Sequence, residues 1–114
     1  MIQDLQVKPI VKVICLRPKN SHYKTNMIKI RQIETFVYRY PLETPVQTSF
    51  GTMTDRPMVI VKLTDQDNVV GFGEIWCNYP VCGAEHRANL VQSVLAELIY
   101  SQTFSKPSEG FELL

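Results

Sequence analysis

The residues with the greatest chemical potential fall between positions 71 and 86. The stretch Gly71-Phe72-Gly73-Glu74-Ile75-Trp76-Cys77-Asn78-Tyr79-Pro80 joins two glycines, a carboxylate, an indole, a thiol and an amide, and Cys82 and His86 follow closely. Four chemistries use such groups. Glycines at a strand-to-helix turn cradle a pyrophosphate. Cysteine and histidine at short spacing hold zinc. A thiolate beside a basic imidazole attacks a carbonyl. A carboxylate poised against a second titratable group moves a proton.

Each reading meets an obstacle in the residues themselves. The dinucleotide fingerprint needs a third glycine where Trp76 stands, and the glycines here sit inside a strand pattern with no strand–helix–strand unit around them. Four residues separate Cys77 from Cys82, and His86 lies one helical turn beyond, but no second Cys/His pair completes a tetrahedral zinc set. His86 is the candidate base for a cysteine nucleophile, yet it falls off the apolar stripe of its helix, where a solvated imidazole is the rule. Glu74 has no titratable neighbour in sequence; it reads as a strand-end carboxylate that hydrogen-bonds loop backbone. His22 lies in the N-terminal leader and has no partner there. No catalytic residue and no metal ligand emerges, and the stretch reads as a strand running into a binding loop.

Three strands and a helix must position that loop. Residues 28–40, rich in β-branched and aromatic side chains, read as a strand. Ile28, Ile30, Phe36, Tyr38 and Tyr40 share one phase and Ile33 and Val37 the other, so a bulge near Gln32 or burial on both faces is expected. Pro41 has no N–H and is expected to end the ladder. Residues 41–57 hold three prolines and four threonines and read as a long loop, with Val46, Phe50 and Met53 packed on something. Residues 58–64 form a second strand and 69–76 a third, joined by the turn Asp65-Gln66-Asp67-Asn68 with Asn68 left-handed. Residues 77–83 are a second loop.

The helix over 84–100 is the clearest element. Leu90, Val91, Val94, Leu95, Leu98 and Ile99 make one apolar stripe, with Gly83 as N-cap and Glu85 at the positive end. Pro107 opens a second helix. The fold expected is α+β, a three-stranded antiparallel meander sheet followed by helices.

Composition bounds the setting. The chain has 114 residues, enough for one small domain, and a net charge of +1 that favours neither nucleic acid nor an anionic membrane. That balance is uneven: residues 1–26 carry +4 and residues 27–114 carry −3. Residues 1–26 thus read as a separate leader, disordered or non-native, with residues 11–16 as a short strand lacking an evident partner. The leader fails as a signal peptide, since Lys12 breaks its apolar run. Three cysteines without a framework fit a reducing compartment, and no run approaches a membrane span. A cytoplasmic protein is expected.

From Met27 the order of features resembles a known family. "MIKIRQIETFVYRYPL", a Thr/Pro-rich loop with "TSFG", "RPMVIVKLTDQDNVVGFGE" and then a helix are similar to the N-terminal capping domain of the enolase superfamily, in the mandelate racemase/muconate lactonizing enzyme branch. Gly71, Gly73 and Glu74 match its G-x-G-E signature. The likeness spans residues 27–114. It departs from the family in the leader, in Asn68 where a glycine is usual, and in a second helix cut short.

The resemblance implies that the 41–57 and 76–83 segments close over the mouth of a (β/α)-barrel, an enolase N-terminal domain-like lid on a catalytic domain found in cis in the family. It implies substrate-capping roles for Val46, Thr48, Ser49, Phe50, Met53, Trp76, Asn78 and Tyr79. It also implies the family's chemistry, proton abstraction alpha to a carboxylate with Mg²⁺ stabilising the enediolate, in a racemase, lactonizing enzyme or acid-sugar dehydratase. The base and the Mg²⁺ ligands belong to barrel strands absent from this chain, so the expectation is an incomplete capping domain, inactive alone. The alternative is a stand-alone α+β binding or assembly module that pairs with a separate barrel chain or forms a homo-oligomer through its sheet.

Overall fold

The computed structural model describes residues 27–114 and the backbone of a short strand at Ile14–Leu16. Four strands, β1 (Ile14–Leu16), β2 (Ile30–Thr48), β3 (Gly51–Asp65) and β4 (Val70–Ile75), form one antiparallel sheet in the order β1-β4-β3-β2. The expected three-stranded meander is β2-β3-β4. β1 extends it along the free edge of β4, with Cys15 opposite Gly71. The strand in the leader therefore has a partner that its own sequence did not reveal. The disorder expected for the rest of residues 1–26 lies outside the described residues.

Ile30 pairs with Asp65 and Gln32 with Thr64, which leaves Arg31 as an extra residue on β2. This is the bulge that the two hydrophobic phases of β2 required. Beyond it Ile33, Thr35, Val37 and Arg39 share one face, and Glu34, Phe36, Tyr38 and Tyr40 the other. At the opposite end of β3 the turn forms as expected. Asn68 has φ 62°, and Asp65 Oδ1 accepts the N–H groups of Asp67 and Val69, each at 2.8 Å.

The largest departure from expectation is residues 41–57. They are not a loop. β2 continues through Pro41 and β3 begins at Gly51, so the segment is the outer half of a long β-hairpin with a two-residue tip at Ser49-Phe50. Pro41 pairs with Asp55 without ending the ladder, because the register breaks just after it: residues 42–45 face Thr54 alone before Val46 meets Met53. The bulge absorbs the missing donors of Pro41 and Pro45, and the threonines supply β-branched side chains to the outer arm.

The helices lie on the Ile33 face. α1 (Gly83–Leu90), a π-helical turn (Val91–Leu95) and α2 (Ala96–Tyr100) form one continuous rod, with right-handed helical dihedrals at both junctions. Gly83 is the first helical residue, not the N-cap; Cys82 holds that position without a side-chain capping bond. Near the rod's start, Ala84 and Ala88 pack on Val59 and Cys77. Near its end, Val91 and Ala96 pack with Ile33, flanked by Val61, Leu63 and Ile99. Residues five apart in a regular α-helix point roughly 140° apart. The π turn brings Val91 and Ala96 to the same cluster.

The expected apolar stripe consequently divides. Val91 is buried and Leu95 and Ile99 are half-buried, while Leu90, Val94 and Leu98 remain exposed. Alanines at 84, 88 and 96 allow close approach and draw the packing face toward themselves. Two side chains from the rod also seal the outer edge of β2: Ile33 N–H donates to the Tyr100 hydroxyl at 2.9 Å, and Gln92 Nε2 donates to Ile33 O at 3.1 Å. An edge strand that would otherwise recruit another strand is satisfied at that point. α3 (Pro107–Leu113) starts at Pro107 as expected, and Phe104 before it bridges to Ile28.

Candidate functional site

The site grows from the end of the helix-covered face of β2. Val37 lies opposite Val59, which is fully buried. Two residues on, and on the same face, comes Arg39, where an apolar side chain would find no further helix to cover it. Its guanidinium makes four contacts. Nε and Nη2 donate to Glu85 Oε1 and Oε2 at 2.9 and 2.8 Å, Nη1 donates to Asp55 Oδ1 at 2.8 Å, and Nη2 also donates to Val81 O at 2.6 Å. The bidentate arrangement matches the planar fork to the carboxylate plane. The Glu85 bond does most to push the arginine's pKa up and likewise holds the Glu85 carboxyl below its ordinary value. Arg39 thereby joins three things: its own strand, the outer arm of the hairpin through Asp55, and the entry to α1 through Val81 and Glu85.

That entry is residues 76–82, and it is anchored along its length. Trp76 lies beneath Arg87 of α1, with the guanidinium carbon 5.5 Å from the ring centroid. Cys77 is 2% exposed and belongs to the core beneath α1; burial is the main cause pushing its thiol pKa up. A reactive thiolate needs the opposite environment. The Tyr79–Pro80 bond is cis, and Pro80 O accepts Gly83 N–H at 2.7 Å. A Cβ on Gly83 would collide with Arg87 Nη1 and lie 3.2 Å from Pro80 Cδ. Glycine there leaves room for Arg87 to cross to Trp76.

The hairpin tip meets this segment. The rings of Phe50 and Tyr79 lie with centroids 4.6 Å apart and planes tilted by 32°. Thr48 fixes the tip: its Oγ1 donates to Gly51 O at 2.7 Å and accepts Phe50 N–H at 3.2 Å, while Gly51 takes φ 132°, which favours glycine. Phe50 and Val81 remain 72% and 78% exposed, and Tyr79 45%. Val46 and Trp76 are also exposed, and Met53 is half-buried opposite Val46. The apolar members of the arm, expected to pack on something, lie outside the buried core: Phe50 rests on Tyr79 and Met53 pairs with Val46.

Of the eight positions singled out from sequence, the structure puts Val46, Thr48, Ser49, Phe50 and Met53 on the hairpin's outer arm and Trp76, Asn78 and Tyr79 on the facing segment. Phe50 and Tyr79 are in direct contact. Sequence reading missed Arg39. Its partners lie 16, 42 and 46 positions away, and no local pattern links them.

The resemblance implies Mg²⁺, which tests the acidic residues. Among the described residues no three His, Cys, Asp or Glu side chains gather as a metal set. Asp55 and Glu85 are both engaged by Arg39. The described residues do not fit a Mg²⁺ site. His86 is exposed and Glu74 is exposed on β4. No helix among the described residues is long and apolar enough to cross a membrane.

Comparison with known proteins bears on the family and the fold. Residues 31–112 match the family model for the mandelate racemase / muconate lactonizing enzyme N-terminal domain. Among solved structures, a mandelate racemase/muconate lactonizing enzyme from Bordetella bronchiseptica is 42% identical, with a TM-score of 0.65 over 77% of this chain and 21% of that one. An enolase-superfamily member from Enterococcus faecalis is 28% identical, with a TM-score of 0.57 over 75% of this chain and 25% of that one. Among curated proteins, an o-succinylbenzoate synthase of Enterococcus faecalis is 28% identical over 86 residues, 72% of this chain and 23% of that protein. An N-succinyl-L-Arg/Lys racemase of Bacillus cereus is 36% identical over 47 residues, 41% of this chain and 13% of that protein. The chain spans a quarter or less of the length of these relatives. With residues 31–112 matching the family model and the fold shared with these solved structures, the chain belongs to the mandelate racemase/muconate lactonizing enzyme N-terminal domain family of the enolase superfamily.

Proposed function

We propose that residues 27–114 act as the substrate-capping domain of a Mg²⁺-dependent enolase-superfamily enzyme. The reaction class is proton abstraction alpha to a carboxylate, as in a racemase, lactonizing enzyme or acid-sugar dehydratase. The partner is a (β/α)-barrel domain, which supplies the base and the metal site. The present chain contributes the lid: Phe50, Tyr79, Trp76 and Val46 exclude water from the reacting centre and contact the variable part of the substrate. Thr48, Ser49 and Asn78 stand beside them as polar groups. The observation that carries the reading is the Phe50–Tyr79 contact, which joins two sequence-distant segments into one exposed aromatic rim.

The test is a chimaera in which residues 31–112 replace the matching segment of the o-succinylbenzoate synthase relative, assayed for that enzyme's own reaction. A folded chimaera that turns over, and whose KM rises about tenfold on Phe50→Ala or Tyr79→Ala with a smaller change in kcat, supports the reading. A folded, active chimaera whose KM ignores both substitutions contradicts it. The 114-residue chain alone is expected to show no turnover.

A further inference from the structure

A lid made of two segments can close in two ways: each segment moves alone, or both move together. The contacts of Arg39 distinguish these. One guanidinium bonds simultaneously to Asp55 on the hairpin arm, to the Val81 carbonyl in the 76–82 segment and to Glu85 in the first turn of α1. Its five N–H donors sit in a fixed fork, so the three acceptors are held in one mutual geometry. Phe50 and Tyr79 touch farther out, beyond the guanidinium. Trp76 under Arg87 and buried Cys77 hold the other end of the segment to the same helix.

We propose that Arg39 is a positioning residue that locks the hairpin arm and the 76–82 segment into a single rigid rim, so that the two halves of the lid move as one body. The link to substrate capping rests on the function proposed above; the lock itself does not. Lysine cannot replace it. A single ammonium on a flexible stem reaches one or two of the acceptors, not all three in a plane.

Two cysteines on the segment report the lock directly. Cys82 is exposed and Cys77 is buried, so Cys77 reacts with an alkylating reagent only when the segment opens. The test is iodoacetamide labelling of the whole chain, with each site quantified by peptide mass spectrometry, in the native protein and in Arg39→Met, Arg39→Lys and Glu85→Gln. Labelling of Cys77 is expected to rise about tenfold or more in Arg39→Met, the size of effect that loss of charge-assisted hydrogen bonds has on a local opening. Arg39→Lys is expected to restore little of the protection, Glu85→Gln to fall between, and Cys82 to label at the native rate throughout. Amide exchange across β3 and β4 is expected to stay native.

Cys77 protection unchanged in folded Arg39→Met, or fully restored by lysine, overturns the proposal. So does a loss of protection spread evenly over the sheet, which would make Arg39 an ordinary stability residue. If Arg39→Met does not fold, Glu85→Gln decides: faster Cys77 labelling with a native sheet supports the lock, and native labelling overturns it. None of these outcomes depends on turnover, so failure here is separable from failure of the capping role.

Discussion

Phe50 at the tip of the β2–β3 hairpin and Tyr79 in the segment before α1 stack with ring centroids 4.6 Å apart, although 28 residues of chain separate them. Both rings remain largely open to solvent on their outer faces. An offset aromatic pair contributes about 0.5–1.5 kcal/mol beyond its area burial, and an exposed one belongs at the low end. Phe50→Ala and Tyr79→Ala are each expected to lower the melting temperature by only a few degrees, and the double variant by less than the sum. Additive losses in thermal melts would mean that the two rings do not interact in solution.

Tyr100 has a different role. Its hydroxyl accepts the N–H of Ile33 on the outer edge of β2, where Ile33 itself is buried. Tyr100→Phe leaves that donor without its acceptor, at a cost of about 1–3 kcal/mol. Exchange of the Ile33 amide is expected to accelerate correspondingly; native exchange would show that water replaces the hydroxyl at no cost.

Gly83→Ala tests the crossing of Arg87. The added methyl lands on Arg87 Nη1, the far end of a flexible side chain, and presses on Pro80 Cδ. The arginine can swing away, so stability is expected to change by only about 1 kcal/mol. In moving, it leaves the face of Trp76, the single tryptophan of the chain. A changed Trp76 emission spectrum with a near-native melt is the expected result, and a native spectrum would place Arg87 elsewhere in solution.

Acid weakens the Arg39–Glu85 pair in a predictable direction. The arginine holds the Glu85 carboxyl below its ordinary value of 4.5. A depressed carboxyl contributes stability that is complete above its unfolded value and is lost as pH falls through the lower folded value. Melting temperature is therefore expected to drop as pH falls below 4.5. Glu109, depressed by its bonds from Ser105, adds to the same trend. Glu85→Gln should flatten part of that fall, and a wild-type slope in the variant would contradict the pair.

Much of the architecture was legible in particular residues. The Asn68 turn, the Arg31 bulge and the helix starting near Gly83 each carry a local signature, because turn chemistry and periodicity act over a few residues. The outer arm was misread because Pro41, Pro45 and Pro57 suggest a loop when taken singly; a register break accommodates Pro41 and Pro45, and Pro57 lies beyond the last β3–β4 pair, Val59 with Ile75, where β3 has no second neighbour. The π turn has no local signal at all, since it answers to Ile33 on another element. The rim's aromatic members stood out by type, but that Phe50 meets Tyr79 follows from the length of the arm, which depends on the pairing of two strands. Arg39 is the clearest limit. A lone arginine in a strand looks like any other until its three acceptors are folded around it.

The claim on which the rest depends is that the hairpin tip and the 76–82 segment share one rim. The most direct measurement is the nuclear Overhauser effect between the ring protons of Phe50 and Tyr79 in the isotope-labelled chain. Strong cross-ring peaks, matching the 4.6 Å centroid separation, are predicted. Assigned ring resonances with no cross-peak between them would contradict the account.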